Sequence, residues 1–346
     1  MSNFPQSFEP VNSDSILEQF LQLKGNVNKV NESMVEVEQT ADSAFKKASD
    51  NEASIQVLEN DVQTLNEKTL NFSNSNLLIN GDFRVNQRNQ ELYTATGKSW
   101  VYTADRWRMY NLNNTFNATT KTIRLKGTTT FEQILEDYNS LAGKTVTLSA
   151  NIKSFNGNAF KLFIEKGGVG EVVGNVISST GIVSFTTTIN ENITSLRVGI
   201  KNTSSDTATF NEIVVDYFKL EIGSVATAYN PIPYAEELAM CQRYYEKIDT
   251  LNIANKNIIR KNARSTYFFY DGQVIFKVGK RTIPTVKVFS SNTDTEGYLY
   301  DNTSNADKKM ILSYLTTDNF FVSIQNGDVA VNNVCIGYFE ADAEIY

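Results

Sequence analysis

The sequence contains no histidine, and this absence excludes several kinds of catalytic site. Ser-His-Asp and Cys-His nucleophile systems need an imidazole base, and His-ligated zinc needs an imidazole ligand. The two cysteines, Cys241 and Cys335, lack the spacing of a metal site. They can form one disulfide or remain free thiols, and a free cysteine more often packs as a small buried hydrophobe.

The sequence also lacks membrane and export signals. No apolar stretch approaches the roughly 20 residues of a membrane-spanning helix. Residues Met1 to Pro10 do not combine a basic region with an apolar core. We therefore expect synthesis in a cytoplasm without export by an ordinary signal.

Positive charge is scarce in the first 75 residues and is balanced by acidic side chains in the rest of the chain. Residues 1–75 carry twelve acidic and five basic side chains, whereas residues 76–346 carry 27 of each, so the first segment holds the whole net charge of −7. A neutral C-terminal region offers no electrostatic footprint for nucleic acid. The lack of a basic run also argues against anionic membrane surfaces.

A long heptad pattern begins at Ile16 and ends near Phe72. Apolar residues recur at alternating spacings of three and four, which is typical of helices that associate in a coiled coil. The predicted seam consists of Phe20, Leu23, Val27, Val30, Met34, Val37, Asn51, Ile55, Leu58, Val62 and Leu65.

The seam residues favour a parallel homotrimer. Val30 and Val37 place β-branched side chains at d positions, which shifts preference from dimers toward trimers or higher states. Asn51 at another d position can fix the register at some cost in stability. The alternative is an amphipathic helix that folds back on its own globular domain, although such helices rarely exceed about 25 residues without caps or breaks.

After residue 75 the apolar period changes to two, which predicts β-strands. The fold class we predict is mainly β with a long N-terminal α-helical coiled coil: a parallel homotrimeric stalk followed by a jelly-roll β-sandwich and a C-terminal β domain. The predicted parts are an N-terminal anchoring arm (1–13), the stalk (14–72), the sandwich (76–233), a linker helix (234–249, with its helical pattern over 235–247) and a C-terminal β head or tip domain (250–346).

The strand candidates in the sandwich are Ile123–Leu125, Val146–Ile152, Phe160–Ile164, Val183–Ile189, Leu196–Ile200 and Ile213–Leu220. Those in the C-terminal domain are Thr266–Tyr270, Val274–Val278, Val286–Phe289, Tyr298–Tyr300, Ile311–Leu315, Phe320–Ile324 and Val334–Phe339, and Asp271-Gly272 predicts a hairpin turn.

Several ordered motifs give the chain a family resemblance. They are residues 76–88 (NLLINGDFRVNQR), 102–107 (YTADRW), 220–223 (LEIG) with 226–229 (ATAY), 233–245 (PYAEELAMCQRYY), 280–285 (KRTIPT) and 341–344 (ADAE). Together they resemble the tail-fibre and tail-spike-associated proteins of bacteriophages and prophages. The resemblance covers residues 76–250 and extends more loosely to residues 251–346. It implies that the sandwich over residues 76–233 is a carbohydrate-binding-module-like jelly roll.

Two interpretations stand beside each other for the aromatic and polar residues of this segment. Trp100, Tyr102 and Tyr110 can form a platform on which sugar rings stack, with Asn113 and Asn114 as hydrogen-bonding partners, although aromatic residues mostly fill cores. Tyr93 belongs to the same tyrosine-rich stretch. The turn at Asn80-Gly81, with Asn80 or Asp82 binding backbone and Phe83 pointing inward, is predicted to be structural.

The charged residues beside the second tryptophan, Trp107, are also predicted to have a structural role. Asp105 and Arg106 are expected to form a buried pair around Trp107, because ionised groups inside a protein need partners.

Catalysis is not expected. Glycoside cleavage needs two carboxylates at a defined separation, and the spacing of Glu132, Glu136 and Asp137 suits a short solvated helix better. No parallel β-helix repeat is present. Bound calcium is frequent in jelly rolls of the resembling family, but no dense Asp-x-Asp-x-Asp loop occurs here. We expect no enzyme activity, no cofactor and no metal.

The functional prediction is a virion fibre, assembled in the host cytoplasm, that presents its β modules to a bacterial surface glycan. Its N-terminus would bind other virion proteins of the tail, baseplate or collar. The alternative is a structural collar, head or baseplate appendage that binds other virion proteins without touching a receptor, and a secreted lectin is more distant. The loops Asn111–Asn117 and Ser291–Asn305 are predicted to face the receptor.

Overall fold

The computed structural model describes residues 13–71, 73–117, 120–127, 129–157, 159–203, 211–247, 259–262, 273–324 and 334–346. The chain divides into two compact units, Met1–Asn71 and Phe72–Tyr346. The predicted N-terminal arm lies almost wholly outside the described residues, as do the strand Thr266–Tyr270 and the turn Asp271-Gly272.

The first unit contains one uninterrupted helix, α1, from Ser13 to Asn71. The predicted long helix is confirmed. Within one chain its apolar stripe is open: the exposed fraction of the apolar seam side chains runs from 51% at Val27 to 67% at Val37. A long helix gains most of its stability from packing of its apolar face. Among the described residues, nothing packs on the stripe of α1.

The second unit opens with an antiparallel jelly roll. Its strands are β1 (Leu92–Tyr102), β2 (Arg108–Asn117), β3 (Thr122–Lys126), β4 (Thr130–Ile134), β5 (Thr145–Asn156), β6 (Phe160–Lys166), β7 (Gly170–Val176), β8 (Gly181–Thr188), β9 (Leu196–Asn202) and β10 (Glu212–Ile222), with a 3-10 turn at Tyr138–Leu141. Their order across the sheet is β7-β6-β9-β4-β2-β3-β10-β5-β8, and β1 pairs with β2. Late strands lie between early ones, so neighbours in the sheet are often distant in sequence.

An aromatic cluster forms the centre of the jelly-roll core. The rings of Trp107 and Phe131 stack with centroids 5.0 Å apart, and Phe83 meets Trp107 edge-on at 5.5 Å. Phe218 lies 4.9 Å from Trp107 by the same measure. All of these side chains are fully buried. The inward direction predicted for Phe83 is confirmed.

Helix α2 runs from Tyr234 to Gln242 and is shorter than the predicted helix over residues 235–247. The chain leaves the helix at Arg243 and forms strand β11 (Tyr245–Lys247), which pairs with the segment from Glu340 to Asp342. Sheet pairing therefore overrides the helical pattern at Tyr245 and Lys247. None of the helices in the described part of the chain is long and apolar enough to cross a membrane.

A second antiparallel sheet completes this unit. Besides β11, its strands are β12 (Ile259–Asn262), β13 (Gln273–Ile275), β14 (Thr285–Ser290), β15 (Tyr298–Asp301), β16 (Ala306–Ser313), β17 (Asn319–Ile324) and β18 (Val334–Asp342). Strand β18 pairs with both β11 and β14 at residues 340–342 and with both β12 and β15 at residues 335–336. The sheet has a core of its own around Phe276, Phe320 and Phe339.

Candidate functional site

The opening motif of the jelly roll is a turn fixed by its own side chains. Asn80 adopts a positive φ of 57°. Its Nδ2 donates to the carbonyls of Val85 at 2.7 Å and Asp105 at 3.0 Å, and its Oδ1 accepts from the Val85 N–H at 2.9 Å. The Trp107 indole donates to the Asn80 carbonyl at 2.8 Å. The structural role predicted for this turn is confirmed.

The closing motif pins the segment that follows β10. Glu221 accepts hydrogen bonds from the N–H of Thr227 at 2.8 Å and from its hydroxyl at 2.5 Å. Lys219 donates to the same hydroxyl at 2.7 Å and to the Ala228 carbonyl at 2.8 Å. Lys219 and Glu221 are both buried, and their charged groups form hydrogen bonds inside the fold.

Asp105 and Arg106 are both buried beside Trp107, as predicted, but they do not pair with each other. Asp105 accepts from the N–H of Gln87 at 3.0 Å and from its side-chain amide at 2.5 Å. Arg106 instead forms a salt bridge with Glu344. The left-handed backbone of Arg106, with φ of 72°, is the structural feature that accompanies this separation of adjacent side chains.

Two tyrosine rings of the C-Q-R-Y-Y motif pack against the guanidinium groups of arginines. The guanidinium of Arg106 lies 3.6 Å from the ring centroid of Tyr244, and that of Arg88 lies 3.8 Å from the ring centroid of Tyr245. Burial works to lower the pKa of Arg88, but the carboxylates of Glu344 and Asp105 raise it above its ordinary value. The motif thus holds cations at the junction of the jelly roll and the second sheet.

Lys280 closes the other side of this junction. Its buried ammonium donates to the Gln242 carbonyl and the Glu246 carboxylate, each at 2.7 Å. Burial lowers the pKa of Lys280, while its hydrogen bond with Glu246 opposes the shift. The Ala343 N–H donates to the Tyr244 carbonyl at 2.7 Å. Most motifs that carry the family resemblance therefore meet at one internal junction, where they have structural roles.

A different surface of the jelly roll has the composition of a binding site, and we call it the Trp100 face. It consists of the side chains that β1, β2, β4, β9 and β6 direct away from the core: Trp100, Arg108, Tyr110, Glu132, Glu165 and Arg197. Alternation along the strands explains the separation, because Val101 and Met109 pack in the core between them.

The aromatic part of the Trp100 face is a cross-strand pair. Trp100 on β1 lies directly opposite Tyr110 on β2, and their ring centroids are 5.1 Å apart at an angle of 46°. The guanidinium of Arg108 lies 4.1 Å from the Trp100 ring centroid. Both aromatic residues are half-buried. Because Arg108 packs against Trp100 and both rings are only half-buried, the pair can offer ring surface and polar edges to a ligand.

The charged part continues across neighbouring strands. Arg108 donates to Glu132 through Nε at 2.9 Å and Nη2 at 2.6 Å, and Arg197 forms a salt bridge with Glu165. Burial raises the pKa of Glu132, and the charge of Arg108 acts against this shift. The arrangement is a fixed row of alternating charges whose outer members, Arg197 and Glu165, remain partly exposed.

The position of Glu132 corrects a prediction. Glu132, Glu136 and Asp137 were expected on a short solvated helix, but Glu132 lies in the middle of β4 and is 1% exposed. Strand β4 is buried along both faces, so it lacks the alternating pattern by which strands are recognised. Glu136 and Asp137 are exposed in the loop that follows β4.

The other residues predicted to contact a glycan differ from Trp100 and Tyr110 in their burial. Tyr102 is 7% exposed, and its hydroxyl donates to the Ile345 carbonyl. Tyr93 is 1% exposed, and its hydroxyl donates to Asn86 at 2.6 Å. Asn113 and Asn114 lie on β2, and their side chains fall outside the described residues. Trp100 and Tyr110 are therefore the predicted contacts that the structure brings together in an accessible position.

The predicted receptor-facing loops need revision. Asn111–Asn117 belongs to strand β2, which pairs with β1 and β3, and is not a loop. Its Asn-rich sequence resembles a loop in composition, but cross-strand pairing decides its conformation. The range Ser291–Asn305 contains strand β15 between two turns, at residues 291–293 and 302–305.

Among the described residues, no group of three or more His, Cys, Asp or Glu side chains is placed to hold a metal ion. Cys241 and Cys335 are free and buried. Burial raises the pKa of Cys335 to about 12 and that of Cys241 well above its usual value. Neither thiol is activated as a nucleophile, because the thiolate is the reactive form.

Sequence reasoning missed Arg108, Glu165 and Arg197 as members of a candidate site. A signal was present for one of them: Arg108 and Tyr110 alternate with the apolar Met109. The contribution of Arg197 and Glu165 depends on pairing of β9 with β4 and β6, which brings distant segments together.

No protein-family model matches the sequence, and no curated protein matches it. Among solved structures, the CBM22-1 xylan-binding domain from Paenibacillus barcinonensis Xyn10C is similar at 13% identity, over 44% of this chain and 98% of that chain, with a TM-score of 0.25. The CBM22-1-CBM22-2 tandem domain of the same protein aligns at 9% identity over 79% and 92%, with a TM-score of 0.27.

Discoidin II of Dictyostelium discoideum aligns at 12% identity over 77% of this chain and 94% of that chain, with a TM-score of 0.19. All three TM-scores are low, and the fold of this chain follows from its own strand order.

Proposed function

We propose that this protein is a homotrimeric fibre of a bacteriophage virion, whose Trp100 face attaches to a bacterial surface glycan. The observation that carries the proposal is the open apolar stripe of α1. An apolar stripe of this length, left exposed by the described part of the chain, calls for other helices. The family resemblance of the ordered motifs supports the viral context.

A trimer follows from the seam chemistry. Val30 and Val37 at d positions disfavour a parallel dimer, and Asn51 restricts the register. At about 1.5 Å per residue, a helix of this length spans roughly 90 Å. Three β units on one stalk would convert weak glycan contacts into avid attachment, because the second and third contacts form at high effective concentration. Residues before α1 would bind the virion.

Binding without bond cleavage is the activity proposed for the Trp100 face. Sugars present C–H faces that stack on aromatic rings and hydroxyl groups that hydrogen-bond to charged side chains. Trp100 and Tyr110 supply the first kind of contact, and Arg197 and Glu165 supply the second. Release of reducing sugar ends from bacterial polysaccharide by the full chain would contradict this non-catalytic role.

The attachment test uses the full chain and its Trp100→Ala variant on cells of candidate hosts. We expect a roughly tenfold or greater loss of cell binding, since avidity multiplies the loss of one aromatic contact. Tyr314→Ala is the matched control, because Tyr314 is an exposed tyrosine directly after β16 of the second sheet. Equal losses in both variants, or none in either, would reject the Trp100 face as the receptor site and favour an appendage that binds only virion proteins.

The oligomeric state is tested by light scattering on the full chain and on residues 76–346. A trimeric full chain with a monomeric head would identify α1 as the trimerising element. A monomer or dimer for the full chain would reject the trimeric fibre.

A further inference from the structure

Five side chains on neighbouring strands form one row across the jelly roll, and we call it the Trp100 row. Strand register places Trp100 opposite Tyr110, Tyr110 opposite Thr130, Thr130 opposite Lys201, and Lys201 opposite Lys161. Residues directly opposite each other in antiparallel strands project from the same face, so the row continues the Trp100 face across five strands. All five residues are half-buried. At roughly 4.8 Å per strand, the row is about 19 Å long.

The two ends of the row differ in chemistry. Trp100 and Tyr110 form the aromatic pair at one end, whereas Lys201 and Lys161 bring two ammonium groups to the other end. Like charges directly opposite each other on antiparallel strands lower the stability of a sheet. The two lysines therefore repel each other within the fold, and an anionic ligand would relieve that repulsion.

Lys161 is the lysine with capacity for a ligand. Lys201 donates to Glu171 at 2.6 Å. The ammonium of Lys161 forms no salt bridge or hydrogen bond with any residue that the structure describes. Both arginines of the Trp100 face are already paired with glutamates. Because Lys161 is partly exposed and has no counter-charge in the described part of the chain, an anion from solvent can reach it.

A polysaccharide matches the row better than a nucleic acid strand does. The C–H faces of sugar rings stack on aromatic rings, and sugar hydroxyls can hydrogen-bond to Thr130 in the middle of the row. A nucleic acid carries a phosphate at every nucleotide, and the carboxylates of Glu132 and Glu165 beside the row would repel several of them. A sugar chain can instead place an acidic group at the lysine end and neutral rings elsewhere.

We propose that the Trp100 row binds an anionic polysaccharide, with one sugar ring stacked on Trp100 and Tyr110 and an acidic group of the same chain at Lys161. Lys161 lies three strand spacings from Tyr110, about 14 Å, so the stacked ring and the acidic group belong to different sugars. This inference rests on the glycan-binding role proposed for the Trp100 face. It adds the charge of the ligand and its direction across the strands. A lysine ammonium is a point charge, so the acidic group can be a carboxylate or a sulfate.

The test compares binding of the full chain to two matched pairs of immobilised polysaccharides. Polygalacturonate is paired with its methyl ester, and dextran sulfate is paired with dextran, so that each pair differs in charge and shares its rings and linkages. We expect at least one acidic polymer to bind about threefold or more tightly than its neutral counterpart at low salt. The preferred pair identifies the acidic group. The preference should decrease with added salt, because exposed charges are screened.

Two results of this comparison would overturn the proposal. One is equal binding of the acidic and neutral polymers in both pairs. The other is tighter binding of a single-stranded DNA oligonucleotide than of either acidic polysaccharide, which would identify the row as a nucleic acid site.

Lys161→Gln localises the effect, because it removes the charge and keeps a side chain of similar length. We expect it to abolish the preference for the acidic polymer. Its urea unfolding midpoint should equal or exceed that of the unsubstituted protein, because repulsion from Lys201 is removed. A lower midpoint would show that Lys161 stabilises the fold through a partner within the chain, and would overturn the proposal.

Lys309→Gln is the matched control, since Lys309 is an exposed lysine on β16 of the second sheet. Equal loss of the preference in both lysine variants would reduce it to a nonspecific effect of net charge and reject the assignment. The cell-attachment assay separates the two proposals. Attachment that is unchanged by Trp100→Ala rejects the Trp100 face itself. Attachment that is weakened by Trp100→Ala, combined with an acidic preference that survives Lys161→Gln, rejects only the role of Lys161.

Discussion

Replacement of Glu344 by Gln should destabilise the second unit strongly, because it leaves buried cations without their counter-charge. Glu344 forms a salt bridge with Arg106, whose side chain is 1% exposed, and also accepts from the Arg106 N–H at 3.2 Å. Loss of one partner of a buried ion pair costs about 3–5 kcal/mol. Arg106 retains its hydrogen bond to the Ile134 carbonyl at 2.7 Å, so we expect the lower end, about 3 kcal/mol.

The assay is urea denaturation of the full chain, followed by tryptophan fluorescence because Trp107 lies in the jelly-roll core. In thermal unfolding, the same loss of about 3 kcal/mol corresponds to a decrease in melting temperature of roughly 6–12 °C for a domain of this size. Glu296→Gln is the matched control: Glu296 pairs with Lys287 at 3.3 Å, and both side chains are about half exposed. We expect that control to change stability by less than about 1 kcal/mol. Equal effects of the two variants would refute the reasoning.

Two further predictions concern a carboxyl group and a glycine of the same region. Burial raises the pKa of Asp105 to about 6, so the folded state binds a proton more tightly than the unfolded chain. Its contribution to stability is therefore complete below about pH 4 and is lost as the pH rises through 6, by up to about 3 kcal/mol. Asp105→Asn should flatten the fall in unfolding free energy between pH 4 and pH 6.5, and parallel curves for the two proteins would contradict this assignment. Gly81→Ala should cost about 1–3 kcal/mol by overpacking, because an added Cβ would lie 2.5 Å from the Phe218 carbonyl oxygen. A denaturation midpoint equal to that of the unsubstituted protein would show that the turn can move away.

The long helix and many of the strands were predictable from the sequence because their patterns are local. The heptad stripe of α1 and the alternation in β5, from Thr145 to Asn156, each follow from neighbouring residues. Strand β4 was missed because it is buried along its whole length. The end of α2 was misplaced because strand pairing with a segment about a hundred residues later determines the conformation of Tyr245.

Side-chain partners were less predictable than strands. Asp105 and Arg106 are adjacent, and sequence reasoning paired them because buried ionised groups need partners. In the structure Asp105 accepts from Gln87, and Arg106 meets Glu344, which is 238 positions later in the chain. The burial of both charges could be inferred from their place beside Trp107. Their partners could not be inferred, because they depend on how the second sheet packs against the jelly roll.

The structure separates two kinds of residue, those of the junction and those of the Trp100 face. The motif residues Asn80, Arg106 and Glu344 are buried and hydrogen-bonded, so they specify how the two β modules join. Trp100 and Arg197 are partly exposed and project from strands of the jelly roll, so substitution there disturbs few core contacts. If the Trp100 face binds a glycan as proposed, its specificity can therefore change without loss of the junction. By the same argument, a substitution at the junction should lower stability before it alters what the exposed face binds.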